Sequence, residues 1–322
     1  MGFGGYDRDA HTTITSAQAA KPVEQVFTRK VVLSDMDPRG AVRESRDSAN
    51  HPTSVPIIFG LDLTGSMDDI PKDMARKHLP DFMKTVIGLG CTDPQLLLAG
   101  VGDTYTDEKP LQVGQFESTG DLMNRWLTSL AFVCAGGANG GESYHLVMEF
   151  AANHTVTDAY EKRGKKGFLF LFGDDHLFRE SVSGEMEQVF GTNAKPESTQ
   201  DILARASEKY HVFFVIPDRR RAERIESSWR QHLGDNVIVA NNPDDVCGIC
   251  GVVVALTEGY VQNTAEAAAK LKALGVSGDH IGSVITAIEP YATSLGRATT
   301  RHGTNESATG PGRRRNGRAT DR

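Results

Sequence analysis

Five short, uninterrupted apolar runs set the limits on what this chain can fold into. They are residues 55–61 (VPIIFGL), 95–101 (QLLLAGV), 168–172 (FLFLF), 211–216 (HVFFVI) and 236–240 (NVIVA). A strand with one wet face alternates apolar and polar residues, whereas these runs do not alternate, as expected of strands covered on both faces of a parallel sheet. Between them lie stretches of helical spacing. In residues 70–89, Met74, Leu79, Phe82, Met83 and Val86 recur at three- and four-residue intervals, with Gly88 and Gly90 closing the segment. Residues 120–130, a stretch through Tyr144, Val147, Met148 and Ala151, and residues 246–256 read the same way. Strand and helix alternate, which predicts an α/β fold with a doubly wound, mostly parallel sheet, Rossmann-like in layout, over about residues 55–262.

Around that unit the sequence changes character. Residues 1–54 read as a polar, irregular N-terminal arm, with a strand or two in residues 23–35 (VEQVFTRKVVLSD). Residues 263–295 read as a C-terminal helical extension. From 296 to 322 the chain turns to Gly, Thr, Ser and Arg, centred on Arg313-Arg314-Arg315, and is expected to be a disordered basic tail.

A formal net charge of −7 argues against a nucleic-acid binder, since phosphate neutralisation needs a surplus of Lys and Arg; that surplus sits in the tail alone. No stretch approaches the roughly 18 apolar residues of a membrane span, and no basic-then-apolar leader opens the sequence, so a cytoplasmic location is expected. Four scattered cysteines do not make a disulfide framework. Cys247 and Cys250 have the spacing of half a zinc site, but no second pair stands at zinc-site distance, and core positions on a helix explain them better.

The chemistry gathers where strands end. In doubly wound sheets ligands sit at the carboxyl ends of strands. Asp62, Thr64 and Ser66 follow one such end at positions i, i+2 and i+4, and Asp174 and Asp175 follow another. Two hydroxyls and one or two carboxylates suit a hard cation, magnesium above all, which prefers oxygen ligands and keeps several waters. The plainer reading makes Asp62, Thr64 and Ser66 helix N-cap residues. Residues 103–108 (DTYTDE) would join the same rim.

Asp62-Leu63-Thr64-Gly65-Ser66 resembles the Asp-x-Ser-x-Ser signature of the metal-ion-dependent adhesion site (MIDAS) in the von Willebrand factor A (VWA) family. Thr64 in place of the first Ser keeps the hydroxyl. Gly173-Asp174 resembles the family's strand-end Asp, normally within Thr-Asp-Gly. Residues 229–246, with a turn at Gly234, resemble its C-terminal stretch, so that the likeness spans roughly residues 55–262. It implies a metal, Mg2+ or else Mn2+ or Ca2+, held by Asp62, Thr64, Ser66 and Asp174, with Asn139, Glu142 and Asp175 as further candidates. In the family's second loop a Thr ligand follows paired glycines, whereas here the matching position is Ala138, which has no oxygen to offer. Either Asn139 or Glu142 supplies one, or the site is more hydrated; Glu142 would otherwise cap the following helix.

The resemblance further implies a protein-protein interaction module in which a partner's acidic side chain completes the coordination sphere. Intracellular bacterial and viral members work beside AAA+ ATPases of the MoxR type, so an adaptor or assembly factor is expected, and not an enzyme. The rival is a haloacid-dehalogenase-like, magnesium-dependent phosphotransferase with Asp62 as nucleophile and Asp174-Asp175 as the metal-binding pair. It requires a Lys beside the nucleophile, for which Lys165 and Lys166 are the candidates.

Overall fold

The five apolar runs become five of the six strands of one sheet. The computed structural model describes residues 4–67, 70–134, 141–177, 183–191 and 197–303. In chain order the strands are β1 (Arg43–Ser45), β2 (Val55–Asp62), β3 (Pro94–Val101), β4 (Leu111–Val113), β5 (Thr155–Thr157), β6 (Gly167–Phe172), β7 (Tyr210–Ile216) and β8 (Val237–Val239). The large sheet has the order β4-β3-β2-β6-β7-β8, all parallel except for the antiparallel edge strand β4, while β1 and β5 form a separate parallel pair. The chain is thus of mixed α/β class with a mostly parallel central sheet.

Successive side chains of a strand point to opposite faces, and both faces here are covered. Ile57, Phe59 and Leu61 join Phe168, Phe170 and Phe172 on one side, against the helices Leu79–Leu89, Val246–Thr257 and Gly120–Ser129. Ile58, Leu169 and Leu171 face the other side, against the helices His145–Asn153, Thr199–Lys209 and Arg219–Leu233. That two-sided burial is why the runs carry no polar alternation. Cys247 and Cys250 lie fully inside the first layer, where burial pushes both thiols up from their ordinary range.

Three expectations need correction. Residues 23–35 form no strand: Val23–Val26 is a helical turn and Ser34–Met36 a 3-10 turn, and Val26 and Phe27 enter the core with the Phe27 ring 4.8 Å from that of Phe132. The arm is not irregular throughout, because Arg8–Ala19 is a twelve-residue helix with Asp7 as its N-cap. The last helix, Gly278–Gly303, runs past the expected boundary at 295 into the segment expected to be disordered. Once a helix is nucleated each further residue adds a hydrogen bond, so it propagates beyond its packed part. No helix among the described residues is long and apolar enough to cross a membrane.

What the topology positions is the carboxyl edge of the sheet. Strands β2, β3, β6 and β7 run in one direction, and each delivers an aspartate there: Asp62 closes β2, while Asp103, Asp174 and Asp218 stand just past the ends of β3, β6 and β7. From β2 the chain steps outward to β3 and β4, then returns to the other side of β2 with β6. The order reverses between β2 and β6, and loops leaving the two strands in opposite directions open a crevice at that point.

Candidate functional site

Asp62 and Asp174 flank this crevice, and a chain of oxygen contacts joins them. The Asp62 carboxylate is fully buried; its Oδ1 accepts from the Thr64 backbone N–H at 2.9 Å and from Thr64 Oγ1 at 2.6 Å. Thr64 Oγ1 lies 3.2 Å from Ser66 Oγ, which donates to Asp174 Oδ1 at 2.7 Å. The loop forms because Asp62 captures the backbone two residues on, a turn in which a short acceptor side chain replaces a backbone carbonyl. The following 3-10 turn, Gly65–Met67, carries Ser66 across the crevice.

Other groups hold this arrangement. Tyr144, itself buried, donates from its hydroxyl to Asp62 Oδ2 at 2.5 Å and accepts weakly from the Asp175 N–H at 3.4 Å. Arg221 donates through Nε to Asp174 Oδ2 at 3.0 Å and through Nη2 to the Ser66 carbonyl at 2.8 Å. Arg224 donates to the Asp174 carbonyl at 2.6 Å. Asp175 turns away from the oxygen chain: its Oδ1 accepts from the His176 N–H, and its carbonyl accepts from Trp229 Nε1.

Electrostatics mark the same place. Burial pushes the Asp62 carboxyl up to about 6, against the pull of its hydrogen bonds from Thr64 and Tyr144. Glu142 is buried, and its Oε2 has no hydrogen-bond partner among the described residues. Burial first, then the charges of Asp62, Asp103, Asp175 and Asp107, push its carboxyl up to about 9. The 103–108 loop does join the rim: Asp103 Oδ1 accepts from the Tyr105 N–H at 3.0 Å, Asp107 Oδ2 from the Asp103 N–H at 2.8 Å, and the Tyr105 side chain is exposed. The edge is therefore crowded with acid.

The oxygens at its centre stand at hydrogen-bond spacing, which is also close to the edge of a magnesium coordination octahedron. Magnesium–oxygen bonds of about 2.0–2.1 Å put neighbouring vertices of an octahedron about 2.9 Å apart. The Thr64–Ser66 and Ser66–Asp174 oxygen separations, 3.2 and 2.7 Å, bracket that edge. Among the described residues no three His, Cys, Asp or Glu side chains group to hold a metal by themselves, so a site here has to draw on the hydroxyls.

No protein-family model and no curated protein matches the chain. Among solved structures it is similar to the pilus adhesin SpaC from Lactobacillus rhamnosus GG in its open conformation, at 11% identity and a TM-score of 0.41, over 67% of this chain and 31% of that one. It is also similar to proximal thread matrix protein 1 from the mussel byssus, at 10% identity and a TM-score of 0.41, over 63% of this chain and 47% of that one. The chain thus spans under half the length of either.

Of the residues expected at the site, Asp62, Thr64, Ser66 and Asp174 come together, with Glu142 coupled electrostatically to Asp62. Asp175 is adjacent but directed elsewhere. Asn139 and Ala138 lie outside the described residues. Lys165 and Lys166 stand just before β6, at the opposite edge of the sheet from Asp174, where Lys165 pairs with Glu258 and Lys166 with the Ser207 carbonyl. Six residues of strand at about 3.3 Å each separate them from the Asp62 loop, so neither can assist Asp62 as a nucleophile. Tyr144 and Arg221 were not foreseen. Both left a signal: a buried Tyr needs a partner for its hydroxyl, and three arginines at a helix N-terminus oppose the helix dipole.

Proposed function

We propose that the chain is a divalent-cation-dependent protein-binding module of VWA type, with a Rossmann-like, doubly wound core. Asp62, Thr64, Ser66 and Asp174 would hold the cation, Mg2+ or else Mn2+ or Ca2+, and Glu142 and Asn139 are the next candidates. The bound ion supplies a positive centre with an open coordination position, which a partner's acidic side chain completes. An adaptor or assembly factor is the role this suits, with an AAA+ ATPase of the MoxR type as the class of partner.

The observation that carries the reading is the 2.7 Å contact between Ser66 Oγ and Asp174 Oδ1, which joins loops from two strands across the point where the sheet order reverses. Binding is favoured over phosphotransfer because the candidate lysines stand at the wrong edge.

Pulldown with the full chain, in Mg2+ or Mn2+ and again in excess chelator, tests the proposal. Partner capture is expected in the cation alone and is expected to vanish in Asp62→Ala with the fold retained. Capture that persists in chelator would overturn it, as would turnover of a generic phosphate ester lost on Asp62→Asn.

A further inference from the structure

Resting on the cation-site reading above, we infer that Arg221 is a tethered cation: it occupies the Asp174 side of the site when no metal is bound and sets how tightly a metal binds there. Its guanidinium touches both loops that supply the proposed ligands, with Nε on Asp174 Oδ2 at 3.0 Å and Nη2 on the Ser66 carbonyl at 2.8 Å. Its Nη1 pairs with Asp218, and the side chain is 10% exposed. A planar fork reaches three acceptors in three directions, which an ammonium on a single stem does not.

The placement is a local electrostatic compromise. Arg219, Arg220 and Arg221 open the Arg219–Leu233 helix, with no acidic residue in its first turn. Cations are disfavoured there by the helix dipole. Two carboxylates pair with Arg221 there, those of Asp218, the N-cap, and Asp174, the proposed ligand. Around it, the buried side chains of Asp62, Asp103, Glu142 and Asp174 crowd the same edge with acid. The guanidinium thus supplies the charge that a metal would otherwise supply.

The consequence is competition for one carboxylate. Asp174 Oδ1 faces Ser66 and the crevice, while Oδ2 is engaged by Arg221. A divalent ion arriving at Oδ1 meets a carboxylate whose charge is already shared, and it meets the repulsion of a fixed positive charge in a partly buried setting. Removing that charge should strengthen metal binding and make the fold depend on metal.

The test uses the full chain, with Mn2+ as probe, and compares wild type, Arg221→Gln, Arg221→Lys and Asp62→Ala by direct titration and by thermal melting with and without chelator. Arg221→Gln is expected to bind Mn2+ at least about tenfold more tightly than wild type. Its melting temperature should fall below wild type in chelator and recover with Mn2+. Arg221→Lys keeps the charge and loses the fork, so a gain of about threefold is expected; it carries the test if Arg221→Gln does not fold. Equal or weaker Mn2+ binding in the Arg221 variants, with wild-type binding that depends on Asp62, would overturn this inference and leave the cation site standing. Absence of Mn2+ binding in wild type and variants, or binding that survives Asp62→Ala, would remove both.

Discussion

Tyr144→Phe removes one hydroxyl at the centre of the site, and its cost should depend on pH. The ring sits edge-on to Phe214 and Trp229, with centroids 5.3 and 5.6 Å away, and the substitution keeps that packing. What it removes is the 2.5 Å donation to Asp62 Oδ2, together with the weak 3.4 Å contact from the Asp175 N–H. At pH 8 Asp62, with its carboxyl at about 6, is ionised, so the lost bond is one to a charge and costs about 1.5–3 kcal/mol. At pH 5 the carboxyl is mostly protonated, and a neutral hydrogen bond is worth about 0.5–1.5 kcal/mol. The sign follows from linkage. A carboxyl whose folded pKa is raised binds more protons folded than unfolded, so its contribution to stability grows as pH falls from about 6 toward the ordinary Asp range. Removing a donor that favours the charged form raises that pKa further, so part of the loss is recovered on acidification. Urea denaturation of both proteins in chelator, at pH 8 and pH 5, reads the difference without any metal. A cost below about 0.5 kcal/mol at pH 8, or a larger cost at pH 5 than at pH 8, would refute the assignment of a charged hydrogen bond here.

Further substitutions probe the surroundings. Gly173→Ala would place a Cβ inside the Tyr144 hydroxyl and ring, which Phe214 and Trp229 hold in place; a loss of about 1–3 kcal/mol or more in urea denaturation is expected, and a neutral effect would contradict the packing. His280 bonds Asp245 through Nδ1 at 2.5 Å, and this bond raises the imidazole above its ordinary range. Its stabilising contribution is therefore full below the unfolded His pKa and is lost as pH rises through the folded one. His280→Gln should lower the urea midpoint at pH 6 and converge with wild type by pH 9; a gap that widens with pH would contradict the pairing.

How much of this was legible depended on whether the signal was local. The strands were, because a residue run that is apolar on both faces has few other uses, and Asp62, Thr64, Ser66 and Asp174 were, because loop chemistry follows the strand end in the chain. The Arg8–Ala19 helix was not. It buries His11 and Thr15, and His11 bonds the Tyr6 hydroxyl at 3.0 Å, so its inner face carries no apolar period to read. Residues 23–35 have β-forming composition, but a strand needs a neighbour's ladder, and Val26 and Phe27 found a place in the core instead. Tyr144 reads as one more core aromatic until β6 and the His145–Asn153 helix bring its hydroxyl to Asp62. The arginine run at 219–221 was visible as a charge out of place, yet its partners, Asp174 and Ser66, are far away in the chain.

The four strand-end aspartates share a residue type and differ in surroundings, because position in the sheet decides what each carboxylate meets. Asp103 accepts the Tyr105 N–H of its own loop through Oδ1, and Asp218 caps its own helix at the Arg221 N–H while pairing with that side chain. Both lie beside β2 or β6 neighbours that continue outward in one direction, where successive loops pack on one another. Asp62 and Asp174 stand on either side of the reversal, where the loops diverge. There the Thr64 and Ser66 hydroxyls span the gap, and a guanidinium enters from the side. An aspartate moved to this crevice from either neighbouring strand end would meet the same hydroxyls. A strand end away from the reversal lacks this pairing of diverging loops, so a graft of the Asp62–Ser66 segment onto the end of β3 should gain no cation binding in the Mn2+ titration.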